Sequence, residues 1–132
     1  MPRQARLKTK YSCYHIIIRG NEKRDIFIKN GDRLMFLQIL SKVKEKFPFH
    51  LYAYCLMINH IHLIIFDNGQ DISEIMRIIN TTYAVYFNKT YKRTGHLFQD
   101  RFRSQQIDNS TYLLQASKYI HNNPVKAGIT DD

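Results

Sequence analysis

One short apolar run, Leu63-Ile64-Ile65-Phe66, constrains the fold of this chain more than any other feature. The run shows no alternation between polar and apolar residues, so a strand formed by it is buried on both faces. Such a strand must lie inside a sheet, with a neighbouring strand on each side. The preceding His60-Ile61-His62 places two imidazoles on one face of the same strand, because side chains alternate along a strand with a period of two.

The other patterns supply the rest of a sheet and its helices. Alternating, aromatic or β-branched stretches predict strands at Tyr11–Arg19, Phe49–Ile58, His60–Phe66 and His96–Arg103. Apolar residues at steps of three and four predict helices over 32–47, 71–87 and 112–123. The order β-α-β-β-α-β with a C-terminal helix predicts an α+β fold of the ferredoxin-like, split βαβ type, with an antiparallel sheet and helices on one face.

The charge of the chain indicates its class of partner. Of 132 residues, 20 are Lys or Arg and 11 are Asp or Glu, which gives a formal net charge of +9. A balance this basic favours binding to nucleic acid. The longest apolar run, Leu51–Ile58, is far shorter than the ~20 residues that a membrane-spanning helix needs. No apolar signal core follows the basic N-terminus, so we expect a cytoplasmic protein.

The sequence predicts a basic arm followed by one domain. Residues 1–10 include four Lys or Arg and little apolar bulk. Glycine and proline fall at the ends of the periodic segments, so residues 11–132 are expected to form a single domain. Cys13 and Cys55, the only cysteines, lie in apolar segments without metal-ligand spacing, and we interpret them as small buried hydrophobic residues.

Two sets of residues could carry chemistry. The two histidines of the central strand can lean onto one ion, although two imidazoles are an incomplete ligand set and could equally be hydrogen-bonded structural residues. Tyr119 and Asn123 stand four apart on the last predicted helix and so share a face. A tyrosine hydroxyl is a candidate nucleophile, and an amide oxygen suits Mg²⁺ or Mn²⁺. By spacing alone, Tyr119 is more simply a core aromatic, and Asn123 a residue that ends the helix before Pro124.

Four segments resemble a known family. They are Asn59-His60-Ile61-His62-Leu63-Ile64, Tyr83-Ala84-Val85-Tyr86-Phe87-Asn88, Gly95-His96-Leu97-Phe98-Gln99-Asp100-Arg101-Phe102 and Tyr119-Ile120-His121-Asn122-Asn123-Pro124-Val125-Lys126-Ala127-Gly128. In this order they resemble the single-tyrosine HUH transposases, and among these the REP-associated tyrosine transposases. The resemblance covers nearly the whole chain from Tyr11 onward. It implies a bacterial, nucleoid-associated transposase that cleaves and rejoins single-stranded or hairpin DNA through a 5′-phosphotyrosine intermediate with a divalent metal.

The resemblance also implies roles for particular residues. By motif position, Tyr119 is the nucleophile, and His60, His62 and Asn123 bind Mg²⁺ or Mn²⁺. Many relatives have Gln at the position of Asn123, and the REP-associated ones have Asn, which is one methylene shorter. Relatives act as dimers or as monomers, so both states stay open for this chain.

Cations near the motifs are expected to contact DNA phosphates, with aromatic rings between them for stacked bases. The predicted DNA-binding residues are Arg3, Arg6, Arg19, Lys92, Arg93, Arg101 and Arg103.

Two other classes of protein fit part of the pattern. A non-catalytic module that binds single-stranded nucleic acid can have the same order of elements with aromatic residues on its sheet, but it has no use for two histidines on one face. A hydrolytic metallophosphoesterase would use water in place of Tyr119. Only the transposase forms a covalent protein–DNA adduct, so trapping that adduct distinguishes all three.

Overall fold

The computed structural model describes residues 11–99 and 101–107, which contain one four-stranded antiparallel sheet. Its strands are β1 (Cys13–Arg19), β2 (His50–Leu56), β3 (His60–Phe66) and β4 (Arg103–Ile107). They lie in the order β2-β3-β1-β4. The five inner residues of β3 are all buried. This confirms the interior strand that the uninterrupted apolar run predicts.

Two helices, α1 (Asn30–Lys46) and α2 (Ile72–Thr90), cover one face of this sheet. Alternate side chains of β1, namely Tyr14, Ile16 and Ile18, are buried with the apolar stripes of both helices. The Asp71 carboxylate accepts hydrogen bonds from the first backbone amides of α2, which fixes the start of that helix. The predicted α+β fold, with β-α-β-β-α-β order and helices on one face, is confirmed.

The opposite face of the sheet carries a second, smaller apolar cluster. Ala53, Cys55, Ile64 and Ile107 are buried together there, one or two from each of three strands. Burial raises the pKa of the Cys55 thiol to about 11, so it is a protonated apolar side chain at neutral pH. The two histidines of β3 lie on this same face, because cross-strand partners share a face and Cys55 lies opposite His62.

The prediction for the fourth strand was wrong in position. The sequence predicts a strand at His96–Arg103, whereas β4 spans Arg103–Ile107. In the earlier segment only an isolated bridge forms, between Phe98 and Gly20. The apolar residues there belong to a loop in which Leu97 is buried and Phe98 and Phe102 pack against the core. β4 is an edge strand in which Ile107 alone is buried, so it has no apolar pattern to recognise.

The other strands and the first two helices are found within a few residues of their predicted bounds. The predicted basic arm with Arg3 and Arg6, and the predicted last helix with Tyr119 and Asn123, lie outside the described residues. Within residues 11–99 and 101–107, no helix is long and apolar enough to cross a membrane.

Candidate metal centre

His60 and His62 lie side by side at the start of β3, on the sheet face opposite to the helices. Their ring centroids are 5.1 Å apart and the ring planes are almost perpendicular, at 78°. His62 is 7% exposed, whereas His60 is half-buried. On β1, Arg19 lies opposite His60 and Ile17 lies opposite His62. The site therefore contains the partly exposed imidazole of His60, the buried imidazole of His62 and the guanidinium of Arg19 on the neighbouring strand.

Each ring of the pair has a hydrogen-bond partner at Nδ1. His60 Nδ1 lies 2.8 Å from Asn59 Oδ1, and because an amide oxygen only accepts, this Nδ1 carries the proton. His62 Nδ1 lies 3.0 Å from Nε2 of His15. Histidines that bind metal through Nε2 typically have such a partner at Nδ1, which fixes the tautomer and the ring orientation. The hydrogen bonds of both rings therefore fit a pair of metal ligands.

Reasoning from the sequence found no role for His15. This residue lies on β1, and its ring centroid is 5.3 Å from that of His62. The period of two places His15 on the same face as Ile17, which is the residue opposite His62. Only the register between β1 and β3 reveals the contact, because the two histidines are 47 positions apart in the sequence. No local motif carries that register.

Burial lowers the pKa of all three histidines. For His62 the pKa falls to about 4, mainly because the ring is desolvated, with further lowering by the charges of His60, His15 and Arg19. Desolvation followed by the charge of Arg19 lowers the pKa of His60, and desolvation lowers that of His15. All three rings are therefore neutral at pH 7, which is the form of imidazole that binds metal ions.

The described residues supply two side chains whose chemistry suits a metal ion, His60 and His62. Two neutral imidazoles suit a divalent transition metal such as Mn²⁺, while Mg²⁺ prefers additional oxygen ligands. Within the described ranges, no group of three His, Cys, Asp or Glu side chains is arranged to hold a metal ion. The oxygen ligand that the sequence resemblance implies, Asn123, lies outside those ranges.

Two of the predicted DNA-binding cations lie on the histidine face. On β1, Arg19 lies opposite His60 of β3. Ile17 of β1 lies between His62 of β3 and Arg103 of β4. The side chains of Arg19 and Arg103 are exposed. Arg19 therefore lies beside the histidine pair, whereas Arg103 lies on the same face with β1 between it and His62.

Of the other predicted cations, Lys92, Arg93 and Arg101 are among the described residues. Lys92 and Arg93 follow the C-terminal end of α2, where Arg93 donates hydrogen bonds to Asn88 Oδ1 and to the His96 carbonyl. Arg101 is exposed in the loop before β4.

Comparisons with known proteins agree with the fold. The family model described as "Transposase IS200 like" matches residues 8–123. The structure of a REP-associated tyrosine transposase bound to a REP hairpin has a TM-score of 0.77 and 23% identity, and the match covers 98% of this chain and 76% of that one.

A structure from Deinococcus radiodurans R1, provisionally named a transposase, has a TM-score of 0.61 and 16% identity, with coverage of 92% of this chain and 98% of that one. At such identities these two structures show a shared fold. No curated protein matched the sequence. The family model spans most of the chain, in agreement with the four sequence segments, and the chain therefore belongs to the IS200-like transposase family.

Proposed function

We propose that this protein cleaves and rejoins single-stranded or hairpin DNA through a covalent tyrosine intermediate, with the help of Mg²⁺ or Mn²⁺. The observation that carries the proposal is the pair formed by His60 and His62, two neutral rings on one strand face that are each hydrogen-bonded at Nδ1. A module that only binds nucleic acid has no need for such a pair. Membership of a transposase family supports the same class of reaction.

In the proposed reaction, Oη of Tyr119 attacks the phosphorus of the scissile phosphodiester. The tyrosine O–P bond forms, the bond to the 3′-oxygen breaks, the phenol loses its proton and the departing oxygen gains one. The products are a 5′-phosphotyrosine and a free 3′-hydroxyl. A 3′-hydroxyl of another strand end reverses these steps, so rejoining needs no ATP.

The remaining residues of the proposed site bind and orient. His60, His62 and Asn123 hold the metal, and His15 fixes the ring of His62 through its hydrogen bond. A bound divalent ion would polarise a non-bridging oxygen of the phosphate. Arg19 and Arg103 contact flanking phosphates from the same sheet face. A hairpin as substrate is supported by the similar REP-associated transposase, whose structure contains a REP hairpin.

A nicking assay tests the proposal. The substrate is an end-labelled single-stranded DNA that carries a hairpin, and Mn²⁺ is added. We expect His62→Ala to abolish nicking while DNA affinity stays within about twofold, because cationic contacts with phosphates dominate affinity. His50→Ala is the matched control, since His50 is exposed at the opposite end of the sheet and pairs with Phe66. Nicking by the His62 variant at the wild-type rate would refute the proposed site.

A further inference from the structure

A pocket of about 700 Å³ lies away from the histidine face. One wall is the turn after β1, formed by Glu22, Lys23, Arg24 and Asp25, and the other is formed by Phe87, Tyr91 and Arg93 at the C-terminal end of α2. We call this cavity the turn pocket. The function proposed above assigns nothing to it, although Arg93 is one of the predicted DNA-binding residues.

Two guanidinium groups, those of Arg24 and Arg93, line the turn pocket. Arg93 is held by an amide oxygen and a backbone carbonyl, neither of which carries a charge. Burial lowers the pKa of Arg93, and the nearby charge of Arg24 lowers it further, so the two groups repel each other. Among the described residues, neither guanidinium is ion-paired with a carboxylate. The cations Lys23, Arg24 and Arg93 outnumber the carboxylates of Glu22 and Asp25 along the pocket. This excess of positive charge favours a bound anion, and a phosphate matches the forked geometry of a guanidinium.

An apolar wall lies beside these cations. The rings of Tyr91 and Phe87 are in contact, with centroids 4.6 Å apart. The Tyr91 hydroxyl donates a hydrogen bond of 2.5 Å to the buried Asp32 carboxylate, which fixes the orientation of the ring. Ile28, at the edge of the pocket, is 53% exposed. A preoriented aromatic ring next to an exposed aliphatic side chain is a surface on which a nucleic-acid base can stack.

The turn that forms the first wall has a fixed shape. Glu22 and Lys23 adopt positive φ angles of 53° and 60°, which side chains other than glycine rarely do. Backbone hydrogen bonds join the turn to its neighbours, from Gly20 N to the Asn59 carbonyl and from Asn21 N to the Leu97 carbonyl. Asn59 directly precedes His60, so the turn pocket and the histidine pair lie at the same end of the sheet. Strained backbone held in this way is frequent at ligand-binding sites.

We propose that the turn pocket binds one unpaired nucleotide of the DNA strand on which the protein acts. The phosphate lies between Arg24 and Arg93, and the base lies against Tyr91 and Ile28. This inference rests on the proposed function only in taking DNA as the substrate.

The rim of the pocket also predicts a preference among bases. Glu22 and Asp25 are exposed and line the pocket, and a carboxylate accepts hydrogen bonds from an exocyclic amino group. Cytosine carries such a group, whereas thymine presents an oxygen at the same position. The pocket therefore prefers cytosine to thymine, two bases of nearly equal size.

The test measures binding without cleavage, by fluorescence anisotropy of fluorescein-labelled dC12 and dT12 in EDTA. We expect dC12 to bind the wild type about fivefold more tightly than dT12, and Glu22→Gln with Asp25→Asn to remove this difference. Arg24→Gln should weaken binding of both strands about fivefold and reduce the slope of log affinity against log salt by about 0.7, the value for one phosphate contact on a single strand.

Arg77→Gln is the matched control, because Arg77 lies in the first turns of α2 and is paired with Glu74. Equal effects of Arg24→Gln and Arg77→Gln, or equal affinity of the wild type for dC12 and dT12, would overturn the proposal. Displacement of dC12 by an equal concentration of dCMP would assign the pocket to free nucleotides and overturn it as well. Base-selective binding without any nicking would instead refute the proposed function and leave the pocket established.

Discussion

The contact between His15 and His62 is the smallest feature on which the account of the metal site depends. The 3.0 Å hydrogen bond fixes the ring of His62, the proposed metal ligand that is 7% exposed. We expect His15→Phe, which keeps an aromatic ring but removes the hydrogen bond, to weaken Mn²⁺ binding about 10- to 100-fold. Isothermal titration calorimetry measures this directly, with His50→Phe as the control. Unchanged Mn²⁺ affinity in the His15 variant would show that His62 needs no such partner.

Asp32 has a structural role that its charge alone does not suggest. The side chain is 1% exposed, and its carboxylate accepts hydrogen bonds from the backbone amides of Ile28 and Lys29 and from the hydroxyls of Tyr86 and Tyr91. Burial by itself raises the pKa of this carboxyl group, but the four hydrogen bonds to the charged form outweigh it and the pKa is lowered. The group therefore joins the start of α1 to the end of α2 as a carboxylate.

Replacement of this carboxylate tests that role. We expect Asp32→Asn to lower the free energy of unfolding by about 2 to 4 kcal/mol, because the amide cannot accept all four hydrogen bonds. Glu45→Gln, on the exposed face of α1, should change it by no more than about 0.5 kcal/mol. Urea denaturation measures both.

The difference in unfolding free energy between the wild type and Asp32→Asn depends on pH, because folding lowers the pKa of Asp32. The pKa of Asp32 is lower in the folded state than in the unfolded state. The stabilisation by its carboxylate is therefore complete above the pKa of about 4 in the unfolded state, and it is lost as the pH falls through the pKa of the folded state. The stability difference between wild type and Asp32→Asn should therefore shrink below about pH 4. A difference that stays constant down to acid unfolding would contradict the assignment.

At the scale of elements, the turn after β1 depends on a glycine. A Cβ at Gly20 would lie 2.1 Å from the carbonyl oxygen of Arg24, so any side chain forces the turn to move. We expect Gly20→Ala to cost about 1 to 3 kcal/mol of stability, as overpacking typically does. Gly31→Ala, at the start of α1 with no neighbour within 4 Å, should cost nothing and slightly stabilise the helix. Thermal unfolding of the two variants compares them, and equal melting temperatures would contradict the tight turn.

The elements that could be predicted from the sequence are those whose burial leaves a local pattern. The interior strand β3 and the apolar stripes of α1 and α2 are of this kind. The edge strand β4 is not, since its one buried residue, Ile107, leaves no alternation, and the predicted strand at 96–103 followed loop residues that pack on the core. The face shared by His60 and His62 follows from strand periodicity. The partner of His62 and the position of Arg93 depend on register and on chain turns, which no short motif encodes.

For the whole molecule, the excess of positive charge predicts how DNA binding responds to salt. The chain carries a formal net charge of +9, and the account assigns phosphates to Arg19 and Arg103 on the histidine face and to Arg24 and Arg93 in the turn pocket. Because Arg24 and Arg93 share one phosphate, these cations neutralise three phosphates, which on a single strand give a salt slope of about −2.1, so a fourfold increase in salt should weaken binding about 20-fold. Anisotropy titrations over a salt series measure the slope. A flat dependence would show that these cations do not contact phosphates.

The central claim is that a tyrosine of this chain becomes covalently joined to DNA. The direct measurement is denaturing electrophoresis, followed by peptide mass spectrometry, after incubation with a labelled hairpin-bearing single strand and Mn²⁺. We expect a protein–DNA adduct at Tyr119 in the wild type. We expect no adduct for Tyr119→Phe, which should still bind the DNA because it loses only the attacking oxygen. An adduct formed by Tyr119→Phe, or cleavage by the wild type without any adduct, would contradict the account.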